Sequence, residues 1–450
     1  MNEMHDDASE NASAVRRSAL RQLLRIENQS AYVGLGLDGV GAGENARDVR
    51  QTTEYVSGVT RWRRRLDFIL QHFYRGELEK MEPELRQILR IGLYDIIFLR
   101  TPPYAAVNDA VNLAKQEVRS GAGGLVNGIL RSVLRQREAL PEPDTGEPAE
   151  DLAVRHSHPT WMVRRWLDRY GSEDTARLLE WNNERPLYTV RANTLRVTVE
   201  ELRSRLDELG VDPEPGRFLS GVFRIRSMQS LIRGGLLADG LCAVQDEAAG
   251  LIVQLFDPAP GERVLDACAA PGGKAFLSAQ LMQNRGEVVA LDVHAGRLRL
   301  MERGARDLGL TSITTVRSDL RTFEPQKHFD RVLLDAPCSG FGVLSKRADL
   351  RWNRQPRDLA ELVTLQDELL DASARLVRPG GVIVYGTCSI EPEENEERVR
   401  AFLRRHVDFS IEDSADFVPD ALVTADGFYA SIPFRDGIDG AFGARLCRAR

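Results

Sequence analysis

The chain contains no uninterrupted apolar run of about 18 residues, which a membrane-spanning helix would need. Residues 1–7 carry three acidic side chains and lack the apolar segment of a secretory signal. We therefore expect a cytoplasmic protein that does not associate with membranes.

Cysteine is scarce. The chain has five cysteines without Cys-x-x-Cys spacing, which argues against a disulfide framework and against a zinc site. The seven histidines show no metal-like spacing either, so no bound metal is expected. Cys242 and Cys447 are interpreted as unreactive core residues. Cys338 and Cys388 differ from them because of their sequence context.

The chain also lacks an overall positive charge, since its formal net charge is −7. Residues 1–10 carry four acids and no Lys or Arg, whereas residues 11–140 have a net charge of +6. A surface that binds nucleic acid would therefore be a local patch on an acidic protein.

Residues 262–274 have the pattern of a nucleotide cradle. A short apolar strand leads to Gly272 and Gly273, which open a helix. Glycine lets the backbone approach a ligand closely, and a helix N-terminus offers free N–H groups. A second strand, residues 288–291, ends in Asp292, which is placed to accept hydrogen bonds from ribose hydroxyls.

Two later strands deliver reactive side chains to the same edge of the predicted sheet. The strand at residues 331–334 is followed by Asp335 and Cys338, and the strand at residues 382–385 is followed by Cys388. Ligands of open α/β sheets bind at the carboxyl ends of the strands, so both cysteines are expected to face one crevice. From spacing alone, either cysteine could be a nucleophile.

These stretches resemble the motifs of RNA 5-methylcytosine methyltransferases that use S-adenosylmethionine. The motifs are residues 266–274, Asp-Ala-Pro-Cys-Ser-Gly at 335–340 and Thr-Cys-Ser at 387–389. The pairing of this domain with an N-terminal helical bundle, described below, resembles the RsmB/Sun/Fmu family of bacterial 16S ribosomal RNA 5-methylcytosine methyltransferases over nearly the whole chain. The resemblance implies methyl transfer to carbon 5 of a cytosine in 16S ribosomal RNA, through a covalent cysteine–cytosine adduct, by a monomer.

The same resemblance implies a role for each residue of the site. Cys388 is the nucleophile that adds to carbon 6 of the cytosine, and Asp335 hydrogen-bonds the base and stabilises its charge. Cys338 assists removal of the carbon-5 proton and release of the product. Asp292 binds the ribose of S-adenosylmethionine and Asp319 the adenine amine. The full set of residues implied to bind the cofactor is Cys268, Ala269, Ala270, Pro271, Gly272, Gly273, Lys274, Asp292, Asp319 and Asp335.

The chain is predicted to be multidomain. Its segments are a disordered tail (1–12), an all-α helical bundle (13–138), a proline-rich acidic linker (139–151), a helical connector with a small α+β RRM-like module (152–243), and an α/β Rossmann-like class I methyltransferase domain (244–450). Within the bundle, a glycine-rich stretch at residues 34–45 is predicted to be a loop.

Residues 89–95, 103–111 and 124–131 resemble the NusB-type fold, which implies that the bundle binds RNA. The candidate surface is the Arg-Trp-Arg-Arg-Arg stretch at residues 61–65, where basic side chains flank an aromatic. In the RRM-like module, Arg191 and Asn193 either contact RNA or have a structural role.

The family closes its parallel sheet with an antiparallel strand, and residues 441–447 are the candidate for it. Arg351 and Trp352 are predicted substrate contacts. The chain departs from the family pattern at residues 345–349 and 439–442, where RNA contacts are expected to differ.

Three other functions are compatible with parts of this pattern. One is methylation of another RNA, such as transfer RNA. Another is a non-catalytic RNA-binding assembly factor, which would not need Cys338, Asp335 and Cys388 together. The third is a nicotinamide dehydrogenase, against which the missing G-x-G-x-x-G and the paired cysteines argue.

Overall fold

The computed structural model describes residues 3–29, 46–99 and 101–450. The loop predicted at residues 34–45 therefore lies outside the described residues. The chain divides into two compact units. The first, called here the helical unit, comprises Met1–Glu184 and Leu344–Asn353, and the second, the sheet unit, comprises Arg185–Val343 and Arg354–Arg450.

The α-helices of the described residues follow in chain order. They are α1 (Glu3–Gln29), α2 (Ala46–Phe73), α3 (Pro83–Phe98), α4 (Pro103–Glu117), α5 (Ala122–Arg135), α6 (Pro148–Arg155), α7 (Thr160–Asn183), α8 (Val199–Glu208), α9 (Met228–Arg233), α10 (Glu247–Phe256), α11 (Gly273–Leu281), α12 (Ala295–Asp307), α13 (Leu350–Asn353), α14 (Pro356–Leu376), α15 (Glu396–Arg405) and α16 (Pro433–Asp436). None of those in the described part of the chain is both long and apolar enough to cross a membrane.

The strands all lie in the sheet unit. They are β1 (Tyr188–Ala192), β2 (Glu214–Pro215), β3 (Val222–Ile225), β4 (Cys242–Val244), β5 (Arg263–Asp266), β6 (Glu287–Asp292), β7 (Ile313–Arg317), β8 (Phe329–Asp335), β9 (Val377–Thr387), β10 (Phe409–Glu412), β11 (Tyr429–Ser431) and β12 (Ala441–Arg448).

The helical unit confirms the predicted all-α bundle. Helices α1 to α5 share one apolar core, which includes Leu20, Leu66, Leu89 and Leu130. Helix α1 begins at Glu3, so the described part of the segment predicted to be a disordered tail is helical instead.

Helix α7 contains a break within its length. At Gly171, φ is 74° and ψ is 179°, which is not helical. Glycine reaches this region of φ without steric cost, because it has no Cβ. The helix can therefore change direction there and continue to Asn183.

Side chains of the basic stretch at residues 61–65 make contacts within the helical unit. The guanidinium of Arg64 binds Glu150 and the carbonyl of His158, and that of Arg65 binds Glu142. Trp62 stacks on Phe98 with ring centroids 4.6 Å apart. The prediction of an open RNA-binding surface is therefore wrong for Arg64 and Arg65, whose guanidinium groups neutralise acids of the segment predicted to be a linker.

The boundaries at residues 139–151 and 152–243 also differ from the structure. Helix α6 starts inside the predicted linker, at Pro148. Proline suits the first helical position because its missing N–H would have no intrahelical partner there. Helices α6 and α7 belong to the helical unit rather than to the module that follows them. The ion pair between Arg64 and Glu150 is one physical reason for this division.

Arg351 and Trp352 have structural roles in the helical unit. Arg351 is 0% exposed, and its guanidinium donates to the carbonyls of Ser157 and Asn182 at 3.1 and 3.0 Å. Trp352 donates its ring N–H to the carbonyl of Thr60 at 2.6 Å. The predicted contact with substrate is therefore wrong for Arg351, whereas for the partly exposed Trp352 it stays a prediction.

The sheet unit begins with a small α+β module. Its four strands form an antiparallel sheet in the order β2-β3-β1-β4, on which α8 and α9 share one apolar core. Helix α8 is capped by Thr198, which exchanges hydrogen bonds with Glu201. Arg191 and Asn193 are both buried and hydrogen-bonded, so their role is structural.

The larger sheet confirms the doubly wound architecture. Its strand order is β10-β12-β9-β8-β5-β6-β7, with β11 paired to β12. Strands β5 to β9 pair in parallel, and β12 pairs antiparallel to β9, as expected for residues 441–447. The order reverses between β5 and β8, so their carboxyl ends open a crevice there.

A buried ion pair stabilises the helical unit. Asp95 is 0% exposed and accepts hydrogen bonds from Arg16, Tyr55 and Thr101 at 2.9, 2.8 and 2.9 Å. We expect Asp95→Ala to destabilise the helical unit by about 3 kcal/mol, because the Arg16 guanidinium loses its buried partner. Calorimetric melting would measure this loss.

A matched control breaks an exposed pair in the same unit. Lys80 contacts Glu77 at 2.7 Å with both side chains largely exposed, so Lys80→Ala should leave the melting temperature almost unchanged. Equal melting temperatures for the two variants would contradict the role assigned to Asp95.

Candidate active site

The loop between β5 and α11 forms an open cradle. Gly272 has φ of 113°, and a Cβ built there would lie 2.4 Å from Cζ of Phe276, so only glycine fits. At Gly273 the nearest atom to an added Cβ is Nε2 of Gln245, at 3.9 Å. The space in front of the α11 N-terminus is therefore free, and its N–H groups suit an anionic group such as a carboxylate.

Asp266, at the end of β5, is buried beside this cradle. Neither carboxyl oxygen has a hydrogen-bonding partner of good geometry among the described residues. Burial first, and the charge of Asp335 second, raise the pKa of Asp266 to about 7, although Lys274 and the Cys268 amide act in the opposite direction. An unpaired buried carboxylate fits a ligand with a positive charge. S-adenosylmethionine, which carries an ammonium and a sulfonium, has that property.

The structure places Asp292 and Asp319 at the carboxyl edge of the sheet, as predicted. Asp292 ends β6, is 7% exposed and accepts the backbone N–H of His294 at 2.8 Å. Asp319 follows β7, and its carboxylate binds the guanidinium of Arg321 at 2.6 Å. A bound adenine would therefore have to share Asp319 with Arg321.

An ion pair joins the cradle to the end of β8. Nζ of Lys274 lies 2.6 Å from Oδ2 of Asp335. Burial alone would lower the pKa of Lys274, but the charge and hydrogen bond of Asp335, with a further contribution from Cys388, raise it. Lys274 is therefore a cation at neutral pH, positioned between a carboxylate and a thiol.

The two strand-end cysteines lie side by side. Sγ of Cys338 is 3.3 Å from Sγ of Cys388. The loops that carry them are also joined by a backbone hydrogen bond from Gly342 N–H to the carbonyl of Cys388, at 3.0 Å. The hydrogen bond with Cys388 and burial raise the pKa of Cys338 well above its ordinary value, and the charges of Glu394 and Asp335 add to this.

The remaining cysteines are distinct from this pair. Cys242 is buried in the core of the small module, and burial raises its pKa to about 12. Cys447 donates a hydrogen bond to Glu412, and burial raises its pKa to about 11. Burial also raises the pKa of Cys268, which lies in the cradle loop. None of the three has a thiol that ionises readily at neutral pH.

Sequence reasoning missed the polar residues beneath the cysteines. Glu394 is fully buried and accepts hydrogen bonds from Ser339 and Ser389. It lies in the acidic stretch at residues 391–397, which in isolation has the composition of a solvated surface. The only signal was its position shortly after the Thr-Cys-Ser motif. Among the described residues, no group of three or more His, Cys, Asp or Glu side chains is placed to hold a metal ion.

Comparisons with known protein families match three parts of the chain. The model "16S rRNA methyltransferase RsmB/F" matches residues 253–447, the NusB family model matches residues 13–135, and the ferredoxin-like domain of RsmF/B-like methyltransferases matches residues 158–231. The first match lies in the sheet unit and the second in the helical unit, whereas the third covers helix α7 as well as most of the small α+β module.

Individual proteins match over nearly the whole chain. The probable ribosomal RNA small subunit methyltransferase B of Bacillus subtilis is 36% identical, covering 97% of this chain and 99% of that protein. The crystal structure of PH0851 is similar with a TM-score of 0.82 at 26% identity, covering 97% of this chain and 98% of that chain. A methyltransferase homologue from Pyrococcus horikoshii has a TM-score of 0.59 at 28% identity, covering 68% of this chain and all 100% of that chain.

The raised pKa of Asp266 predicts a pH-dependent stability. An aspartate whose pKa is raised by folding binds a proton more tightly in the folded than in the unfolded state. Its ionisation therefore lowers the stability of the fold, and this loss develops as the pH rises from 3.8, the pKa of the unfolded state, through about 7, the pKa of the folded state. Asp266→Asn is neutral throughout. In thermal melts, the free energy of unfolding of the variant should equal that of the wild type near about pH 4 and exceed it by a few kcal/mol near about pH 8.

The control for this experiment is Asp212→Asn, which changes an exposed aspartate of the same unit. It should show the same difference from the wild type at both pH values. A pH-independent effect of Asp266→Asn would contradict the raised pKa.

Proposed function

Because the chain belongs to the RsmB/F family of 16S ribosomal RNA methyltransferases, which depend on S-adenosylmethionine, we propose that it methylates carbon 5 of a cytosine in 16S ribosomal RNA. The reaction proceeds through a covalent adduct between Cys388 and the base. The observation that carries this proposal is the pair of thiols 3.3 Å apart, at the crevice where Lys274 and Asp335 also meet.

The chemistry requires two thiol functions at one base. Carbon 5 of cytosine is a poor nucleophile until a thiolate adds to carbon 6, which makes carbon 5 enamine-like. The carbon-5 proton must then pass to a base while the attacking sulfur leaves as a thiolate, and a neighbouring thiol can assist this release by hydrogen-bonding to the departing sulfur. Two adjacent cysteines supply both functions, whereas an RNA-binding factor without catalysis needs neither.

Electrostatics support Cys388 as the nucleophile. The Lys274 ammonium interacts favourably with an ionised Cys388, which is why Cys388 contributes to raising the pKa of Lys274. The pKa of Cys338 is raised well above its ordinary value, so Cys338 remains a thiol at neutral pH. Because the thiolate is the reactive form, the raised pKa of Cys338 makes Cys338 the poorer nucleophile of the pair, which supports the assignment of that role to Cys388.

We assign the steps to residues as follows. The Cys388 thiolate forms a bond to carbon 6, and the electrons of the carbon 5–carbon 6 double bond become available at carbon 5 for the new methyl bond. Asp335 hydrogen-bonds the cytosine and stabilises the charge that develops on it. The carbon-5 proton is then lost, its electrons restore the double bond, and the bond between sulfur and carbon 6 breaks. Cys338, next to the departing sulfur, assists this release.

The cofactor is held by the cradle loop and the strand ends. We propose that the backbone of Cys268, Ala269, Ala270, Pro271, Gly272, Gly273 and Lys274 binds its methionine portion, with Asp335 nearby, and that Asp292 binds its ribose and Asp319 its adenine. When bound, S-adenosylmethionine supplies an electrophilic methyl group. The unpaired Asp266 carboxylate and the open space at Gly273 support this placement.

The target cytosine has to leave its base stack to reach the cysteines. We assign RNA binding in part to the helical unit, on the strength of its match to the NusB family. Arg64 and Arg65 do not belong to that surface, because they are engaged with Glu150 and Glu142.

The cysteine roles predict different outcomes for two variants. With labelled S-adenosylmethionine and unmodified 16S ribosomal RNA, Cys388→Ala should abolish methyl transfer, because no thiolate adds to carbon 6. Cys338→Ala should form the adduct but release it slowly, so a protein–RNA species should persist on denaturing gels. Scintillation counting and the gel measure the two effects.

Exchanged phenotypes would assign the nucleophile to Cys338 instead. Transfer to transfer RNA but not to 16S ribosomal RNA would change the substrate and keep the chemistry. Tight RNA binding without transfer to any RNA would favour a non-catalytic assembly factor.

Lys274→Gln tests the electrostatic argument. Removing the ammonium should slow alkylation of Cys388 by iodoacetamide at neutral pH by roughly tenfold, because the thiolate loses a nearby cation. Site-resolved mass spectrometry measures the rate, and Lys327→Gln, which changes an exposed lysine of the same unit, is the control. Equal rates for the wild type and Lys274→Gln would contradict the assignment.

A further inference from the structure

A buried carboxylate, Glu394, lies between the two loops that carry the cysteines. It ends the short 3-10 turn Pro392–Glu394 and is 0% exposed. The groups that hydrogen-bond its carboxylate are neutral donors, supplied by Ser339, Gln366 and Ser389. Among the described residues, hydrogen bonds rather than a salt bridge therefore satisfy this buried carboxylate.

The donors come from both cysteine loops. Ser339, which follows Cys338, donates its backbone N–H to Oε1 at 2.7 Å and its hydroxyl to Oε2 at 2.5 Å. Ser389, which follows Cys388, donates its hydroxyl to the same Oε2 at 2.5 Å. One carboxylate oxygen therefore bridges two loops that are 50 residues apart in the chain.

Neighbouring side chains reinforce this bridge. Gln366 donates to Oε1 of Glu394 at 3.1 Å and to the carbonyl of Pro337 at 2.9 Å. Asn395 donates to the carbonyl of Ser389 at 3.0 Å and accepts from the hydroxyl of Thr387 at 2.6 Å. The residues on both sides of each cysteine thus have fixed partners, which leaves the thiols little freedom to separate.

Burying a carboxylate is unfavourable because the charged group loses its hydration, a cost that neutral residues of similar shape would avoid. Two properties distinguish a carboxylate from such replacements at this position. Each of its oxygens accepts more than one hydrogen bond, so it can hold donors from both loops at once. Its negative charge also lies beside Cys338 and contributes to raising the pKa of that thiol.

We propose that Glu394 is a positioning residue, which fastens the Cys338 loop to the Cys388 loop through shared hydrogen bonds and so holds the two thiols in the arrangement that their separate roles require. This inference rests on the proposed function for its catalytic consequence. Its effect on Cys338 does not depend on any RNA substrate.

The test compares Glu394→Gln with Glu397→Gln. Both remove one negative charge from the same stretch, but Glu397 is exposed and lies on α15, away from the bridging hydrogen bonds. Alkylation of Cys338 is followed against pH in a Cys388→Ser background by site-resolved mass spectrometry. We expect Glu394→Gln to move the midpoint down by on the order of one pH unit, and Glu397→Gln to leave it unchanged.

A second measurement follows catalysis in the otherwise wild-type chain. Glu394→Gln should lower kcat by up to about a hundredfold, the cost of a small misplacement of reacting groups, with KM for RNA and calorimetric affinity for S-adenosylmethionine little changed. The double variant Ser339→Ala with Ser389→Ala keeps the charge but removes two donors. This variant should lower kcat without lowering the pH midpoint of Cys338 alkylation. The comparison with Glu394→Gln therefore separates the effect of the hydrogen bonds from the effect of the charge.

Several results would overturn the inference. One is a Cys338 midpoint in Glu394→Gln equal to that in Glu397→Gln. Another is a loss of kcat that is matched by equal losses of cofactor affinity and thermal stability, as a general structural role would give. If Glu394→Gln does not fold, an unchanged kcat in the double serine variant has the same meaning. Failure of the wild type to methylate any RNA would refute the proposed function instead, and the alkylation profile would still test Glu394.

Discussion

The reversal of strand order between β5 and β8 is the constraint on which the whole site depends. It brings Asp266 and Asp335 to the ends of two adjacent parallel strands, where two carboxylates repel each other and lose solvation together. Lys274, from the first turn of α11, compensates only one of them directly. The crevice is therefore short of positive charge in the isolated chain. This deficit suits a cationic cofactor, and it makes Lys274 the group that organises the thiol beside it.

Much of this arrangement follows from local sequence. Strand ends can be read from apolar runs, and parallel strands deliver their carboxyl ends to one edge, so Asp292, Asp335, Cys338 and Cys388 could be placed in one region before any coordinates. The antiparallel strand β12 was likewise predictable. What spacing cannot give is a distance. The 3.3 Å contact between the two sulfurs depends on hydrogen bonds made beneath them, and these involve residues that have no distinctive pattern.

The wrong predictions share one physical cause. Sequence periodicity shows which residues lie on one face of a helix, but it does not show which distant residues that face contacts. Residues 61–65 look like an exposed basic face, yet the acids that neutralise Arg64 and Arg65 lie 86 and 77 residues away. Trp352 hydrogen-bonds Thr60 across 292 residues. Glu394 was missed because an acidic stretch suggests exposure to solvent, and two of its donors, Ser339 and Gln366, lie 55 and 28 residues away in the sequence. Long-range polar pairing is thus the information that a single sequence carries least well.

The composition of the helical unit bears on how the chain folds during synthesis. Arg351 satisfies the carbonyls of Ser157 and Asn182 from a position well over 150 residues further along the chain. A nascent chain that has emerged only as far as residue 184 lacks this guanidinium, so those carbonyls stay unpaired or hydrated until Leu344–Asn353 arrives. The helical unit is consequently not completed until the segment Arg185–Val343 of the sheet unit has also been synthesised. A fragment truncated at residue 184 would lack the hydrogen bonds that Arg351 donates within the complete helical unit.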